Sequence, residues 1–70
     1  MKFYEYTRLK RIEAGLTQQE IADKLGFSHR ANAHKLETGK IEWSFWEICE
    51  FAELLDMKPS ELIAEWERTK

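Results

Sequence analysis

The chain has 70 residues, of which 43% are hydrophobic and 34% charged, with one cysteine and a net charge of −2. This length supports one small core and excludes two, and the apolar runs are too short for a membrane span or a signal peptide, so we expect a single cytoplasmic domain without membrane contact. The net charge is +3 over residues 1–41 and −5 over residues 42–70, which indicates that the halves face different partners, or that one half faces only water.

The first two predicted helices have clear ends. The first runs from Tyr4 to about Ala14 and stops at Gly15, a residue suited to the left-handed conformation that follows many helices. The segment Thr17–Glu20 then has the pattern of a capping box, in which the threonine side chain accepts from a backbone N–H three residues on and the glutamate reaches back. It predicts a second helix that ends at about Leu25.

The third predicted helix lies between two glycines. Gly26 ends the second helix, Ser28 is expected to cap the third, and Gly39 terminates it. A continuous helix from about His29 to Glu37 fits this segment.

The last two predicted helices are also delimited by sequence signals. Ser44 and Glu47 form a second capping box, which opens a fourth helix to about Leu55. Its predicted apolar side carries Phe45, Ile48, Cys49, Phe51, Ala52 and Leu55. Pro59 suits the first turn of a fifth helix that continues through Trp66. Because no segment alternates with period two, the fold class is all-α with five short helices.

A short helix, a glycine-opened turn and a second short helix form the helix-turn-helix arrangement, in which the second helix is offered to the major groove of DNA. Small helical bundles without this function also contain short helices joined at glycines. The arrangement alone therefore only suggests DNA binding.

Three segments carry a family resemblance. They are Leu9–Gly26 (LKRIEAGLTQQEIADKLG), Leu36–Lys40 (LETGK) and Leu55–Leu62 (LDMKPSEL). Their residues and spacing resemble the lambda-repressor and Cro-like helix-turn-helix family, also called the xenobiotic-response-element family, over nearly all of the chain after Thr7. The resemblance implies a compact five-helix DNA-binding domain over residues 1–70, with the helix-turn-helix at about residues 17–37.

The resemblance also implies roles for four single residues. Arg11 stands where the family carries an arginine on its first helix, and Glu37 where it carries a glutamate that forms a largely buried ion pair with that arginine in many members. Gln18 matches a glutamine that bonds a DNA phosphate or braces the recognition helix. Lys40 matches a loop residue that often contacts the DNA backbone.

The segment from Gly26 to Gly39 is one residue longer than is usual in the family, and the surplus lies between Ser28 and Asn32. Counting back from the Leu36–Glu37 pair leaves Ala33 inward and an outward face of Arg30, Ala31, His34 and Lys35. Counting forward from Gly26 makes His29 the first outward residue. We favour an extra residue at the turn or in the first helical turn, and the role of His29 stays open.

The outward residues have the chemistry of base readers. Arg30 is suited to guanine O6 and N7, Asn32 to adenine or a phosphate, and Ala31 to a thymine methyl group. His34 and Lys35 can donate to base edges or phosphates. The expected DNA contacts are Gln18, Gln19, Ser28, His29, Arg30, Ala31, Asn32, His34, Lys35 and Lys40.

Three tryptophans are many for a chain of this size. Trp43 stands where the family commonly has proline, Trp46 stands at a usually polar position, and Trp66 lies on the last helix. Either these tryptophans enlarge the core, or Trp46 together with Trp43 or Trp66 builds a homodimer contact.

Taken together, these features predict a prokaryotic, nucleoid-associated transcriptional regulator that binds double-stranded DNA sequence-specifically. The expected form is a homodimeric repressor on a palindromic operator. No catalysis, cofactor or metal is expected, because no nucleophile or phosphate loop is evident and His29 and His34 do not share a helix face. The alternative is a protein-interaction module, such as an antitoxin that binds a toxin through the half rich in Trp and Glu.

Overall fold

Five α-helices make up the fold in a computed structural model that describes all 70 residues. The helices are α1 (Phe3–Glu13), α2 (Gln18–Leu25), α3 (Arg30–Glu37), α4 (Phe45–Leu54) and α5 (Pro59–Arg68). The structure contains no strand, so the prediction of an all-α fold with five short helices is confirmed. None of these helices has the length and apolar character needed to cross a bilayer.

Both predicted capping boxes are present. At α2, the Glu20 backbone N–H donates to Thr17 Oγ1 at 3.0 Å, and the Thr17 N–H donates to Glu20 Oε1 at 2.9 Å. The same reciprocal pair joins Ser44 and Glu47 at the start of α4. Since these bonds satisfy backbone donors that a helix start leaves open, both helices begin where the sequence predicts.

The start of α3 differs from the prediction that Ser28 caps it. Gly26 has φ of +78°, and the Phe27 N–H donates to the Ala22 carbonyl at 2.9 Å, which closes α2. Ser28 and His29 then follow, and the N-cap is His29, with an extended backbone and no side-chain capping bond. Ser28 therefore stands one residue too early to cap α3, which begins at Arg30.

The core is one cluster of buried side chains, and every helix contributes to it. Its members are Phe3, Ile21, Ala22, Ala33, Leu36, Trp43, Ile48, Phe51, Ala52 and Leu62. Trp43 packs edge-on against Phe3 with ring centroids 6.0 Å apart, and against Phe51 at 5.1 Å. The loop after α3 is thereby anchored to both α1 and α4.

One residue predicted to face the core lies outside it. Phe45, expected on the apolar side of α4, is 59% exposed. Phe45 is the first residue of α4. Because helical side chains lean toward the N-terminus, no preceding turn of the helix lies beneath its ring. Ile48, one turn later, is fully buried.

Candidate nucleic-acid interface

The outer face of α3 is formed by polar and small side chains. Arg30, Ala31, His34 and Lys35 are exposed, whereas Ala33 is completely buried against the rest of the fold. This is the face obtained by counting back from Leu36 and Glu37. The predicted contact residue His29 is exposed in the turn ahead of α3, and Asn32 is half-buried.

A buried carboxylate at the end of α3 holds that helix against α1. Arg11 Nε lies 2.6 Å from Glu37 Oε2, and the two side chains retain only 16% and 4% of their exposure. Arg11 also donates to the Leu16 carbonyl at 2.8 Å. The geometry matches the ion pair that the family resemblance implies.

Gln18 completes this cluster from the first position of α2. Its amide nitrogen lies 3.3 Å from Glu37 Oε1 and 3.3 Å from His34 Nδ1. Gln18 thus links the buried carboxylate at the end of α3 to an imidazole on the outer face of the same helix, a geometry that supports the bracing role for Gln18.

Sequence reasoning missed Arg8 as a member of this cluster. Its Nη1 donates to the backbone carbonyl of Glu37 at 3.1 Å, which satisfies an acceptor in the last turn of α3. Arg8 precedes Arg11 by three residues and therefore shares its face of α1. That spacing is the signal that points to it.

The remaining predicted DNA contacts lie around α3 without joining the cluster. Gln19 is exposed, and its side-chain amide donates to Asp23 within α2 at 2.9 Å. Ser28 is exposed in the turn. Lys40 is exposed in the loop after α3, where its backbone N–H donates to the Lys35 carbonyl. No group of three or more His, Cys, Asp or Glu side chains is arranged to hold a metal ion.

The cations divide into paired and unpaired sets. Lys24 of α2 lies 2.9 Å from Glu53 and 3.5 Å from Glu50 on α4. Its hydrogen bond with Glu53, aided by the charges of both carboxylates, raises the pKa of Lys24 above its ordinary value. Arg30, Lys35 and Lys40 form no ion pair in the protein. Lys2, Lys58 and Lys70 are also exposed and unpaired, so Arg30, Lys35 and Lys40 are the unpaired cations that lie on and just after α3.

The three tryptophans have different environments. Trp43 is only 6% exposed, because its ring fills the core between Phe3 and Phe51. This burial favours the alternative in which Trp43 enlarges the core, and a dimer contact through Trp43 stays a prediction. Trp46 is 69% exposed, and Trp66 is half-buried on α5.

A family model described as a helix-turn-helix domain matches residues 7–66. No curated protein and no solved structure matches the chain. The matched span contains α2, the turn and α3, and it contains the Arg11–Glu37 pair that fixes α3 to α1. The chain therefore belongs to the helix-turn-helix domain family, as a DNA-binding domain of the lambda-repressor and Cro-like type.

Proposed function

We propose that the protein is a sequence-specific transcriptional regulator that places α3 in the major groove of double-stranded DNA. The observation that carries the proposal is the outer face of α3, where Arg30 and Lys35 are exposed and unpaired beside a buried face that fixes the helix. Lys40 continues the same unpaired charge into the next loop. Cations free of internal partners are the ones that can neutralise phosphates.

Base reading is assigned to the exposed residues of α3. Arg30, in the first turn, presents two donors to guanine O6 and N7, and Ala31 next to it suits a thymine methyl group. His34 can donate to a base edge or to a phosphate. Lys35 and Asn32 contact base edges or phosphates, and His29, Ser28 and Gln19 are close enough in sequence to contact the flanking backbone.

We further propose that the protein works as a homodimer on a palindromic operator. Phe45 and Trp46 are adjacent and 59% and 69% exposed, an arrangement typical of an interface and not of a solvated surface. A two-fold dimer presents two copies of α3 about 34 Å apart, one turn of DNA. Such a complex occupies an operator and acts as a repressor in the prokaryotic cytoplasm, at the nucleoid.

The same aromatic pair supports a second candidate. Trp46 and Phe45 stand next to the acidic residues Glu42 and Glu47 on the half of the chain with net charge −5. This surface suits binding to a toxin that has a basic, apolar cleft. In this second candidate function, the protein is an antitoxin. Both candidate functions use α3 to bind DNA. They differ in the partner that covers Trp46, which is a second copy of the chain in one and a toxin in the other.

Selection of bound sequences from a random duplex pool tests the proposal. We expect an enriched palindrome that is relaxed at one position by Arg30→Ala and only weakened overall by Lys40→Ala. Lys58→Ala is the matched control, since Lys58 is an exposed lysine ahead of α5 and away from α3. Absence of enrichment at low salt would contradict operator binding.

A further inference from the structure

A groove of about 360 Å³ opens between the start of α1, the loop after α3 and the end of α5. Tyr4, Ile41 and Trp66 supply apolar walls, and Trp43 lines it from the core side. The volume falls at the small end of the range for ligand sites, which fits a small molecule and excludes a long peptide.

The side chains that line the groove carry a net positive charge and one buried N–H without a protein partner. Trp43 Nε1 is buried and no protein atom accepts from it. A buried indole N–H usually has a partner, because leaving it unpaired is unfavourable. Lys2 and Lys70 also line the groove, and neither forms an ion pair, so only the carboxylate of Glu42 offsets two ammonium groups.

We propose that this groove binds a small organic carboxylate that has a flat apolar body. The body lies along the ring of Tyr4, and the carboxylate lies toward Lys2 and Lys70. Lys70 Nζ stands over the Trp66 ring, 4.0 Å from its centroid, so the ring holds the ammonium group at the groove wall, where it can pair with the ligand's carboxylate.

The groove lies beside the loop that carries Lys40, but no residue of α3 lines it. Gly39 and Ile41 line it, and they flank Lys40 in the chain. Gly39 packs so closely on Tyr4 that an added Cβ would stand 2.8 Å from the tyrosine ring. A bound ligand therefore contacts the loop that presents Lys40. The inference goes beyond DNA binding, and its test uses no DNA.

The test is an NMR titration of the ¹⁵N-labelled full chain with 3-phenylpropionate, observing the three tryptophan indole N–H signals. Trp46→Phe and Trp66→Phe variants assign two signals and leave the third to Trp43. We expect saturable shifts of the Trp43 and Trp66 signals at millimolar probe, and no shift of Trp46, which is outside the groove. The uncharged 3-phenylpropanamide and the ring-free propionate should give no saturable shift.

Matched surface variants test the charge contribution. Lys70→Gln should weaken 3-phenylpropionate binding about two- to fivefold, the effect of one exposed charge. Lys58→Gln carries the same change away from the groove and should leave binding unaltered. The proposal is overturned if 3-phenylpropionate gives no saturable shift, if the amide binds equally well, or if Trp46 shifts with the other two signals. Each spectrum also reports whether its variant is folded.

Discussion

The side-chain amide nitrogen of Gln18 lies 3.3 Å from Nδ1 of His34, so the first residue of α2 fixes the imidazole of a residue on the exposed face of α3. The same nitrogen lies 3.3 Å from the buried carboxylate of Glu37. Because Glu37 also pairs with Arg11, an exposed imidazole of α3 is connected to the core of the domain through one amide.

This relationship predicts that Gln18 and His34 act together on DNA. Gln18→Ala should weaken binding to the selected operator without abolishing it, because the His34 ring loses the contact that orients it. In a double-mutant cycle with His34→Ala, the coupling free energy should be about 0.5–1.5 kcal/mol, the size of one hydrogen bond. Fluorescence anisotropy with labelled operator measures it. Additive effects of the two substitutions would contradict the linkage.

The Arg11–Glu37 pair predicts a large effect on stability. Arg11→Ala should lower the free energy of unfolding by about 3–5 kcal/mol, since it leaves the Glu37 carboxylate buried without its partner charge. Arg68→Ala is the control, because Arg68 is highly exposed and pairs only with Glu65 on its own helix. That change should stay within about 0.5 kcal/mol. Urea unfolding followed by circular dichroism compares the two, and equal effects would refute the structural role of the pair.

The Lys24 contacts with α4 predict a dependence of stability on alkaline pH. The folded-state pKa of Lys24 is raised above 10.5, chiefly by its hydrogen bond with Glu53. The contribution of this lysine is therefore fully present below the pKa of the unfolded chain and is lost as pH rises through the raised folded value. Denaturant unfolding should show Lys24→Met less stable than the parent at neutral pH, with the difference closing above pH 10.5. A difference that is constant with pH would contradict this origin.

The unpaired lysine after α3 predicts a change in salt dependence. If Lys40 contacts one phosphate, Lys40→Gln should reduce the slope of log affinity against log salt by about 0.9. It should weaken binding to specific and unrelated sequences alike, because a phosphate contact carries no base information. Lys58→Gln should leave the slope unchanged. A slope that is unaltered in Lys40→Gln would place Lys40 outside the interface.

The two indoles at residues 43 and 46 predict opposite phenotypes. Trp46→Ala should leave the free energy of unfolding of the monomer nearly unchanged and shift sedimentation from dimer to monomer. Trp43→Ala should destabilise the fold by about 3–5 kcal/mol, the range for emptying a large aromatic site. A parent protein that sediments as a monomer at high micromolar concentration, with and without operator, would count against the dimer.

Local sequence signals predicted most of the fold. The boxes at Thr17 and Ser44 and the proline at α5 act within one helical turn, so their residues suffice to locate those helix starts. Ser28 was misassigned as a cap because its role depends on how many residues the chain needs to close α2 and turn into α3. The burial of Trp43 and the exposure of Phe45 depend on neighbours distant in sequence, which periodicity alone does not contain.

Some residues of the candidate site could be predicted from the sequence, whereas the contacts between helices could not. The outward residues of α3 follow from the position of Leu36. Once one inward residue is known, helical geometry fixes the direction in which each of the remaining residues faces. The dual bonding of Gln18 requires the actual approach of α2 and α3, and no spacing within either helix specifies it. The three-residue spacing from Arg11 does point to Arg8, although its bond to the Glu37 carbonyl depends on the approach of α1 and α3.

The burial of Trp43 has a consequence for the conformational freedom of Lys40. The loop after α3 begins at the anchored Glu37 and ends at an indole in the core, so both of its ends are fixed within a few residues of the lysine. Such a segment has lost most of its conformational entropy when the domain folds, and little remains to be lost on association. The domain thus presents α3 and the following loop as one preorganised edge, whose shape is set before any partner is met.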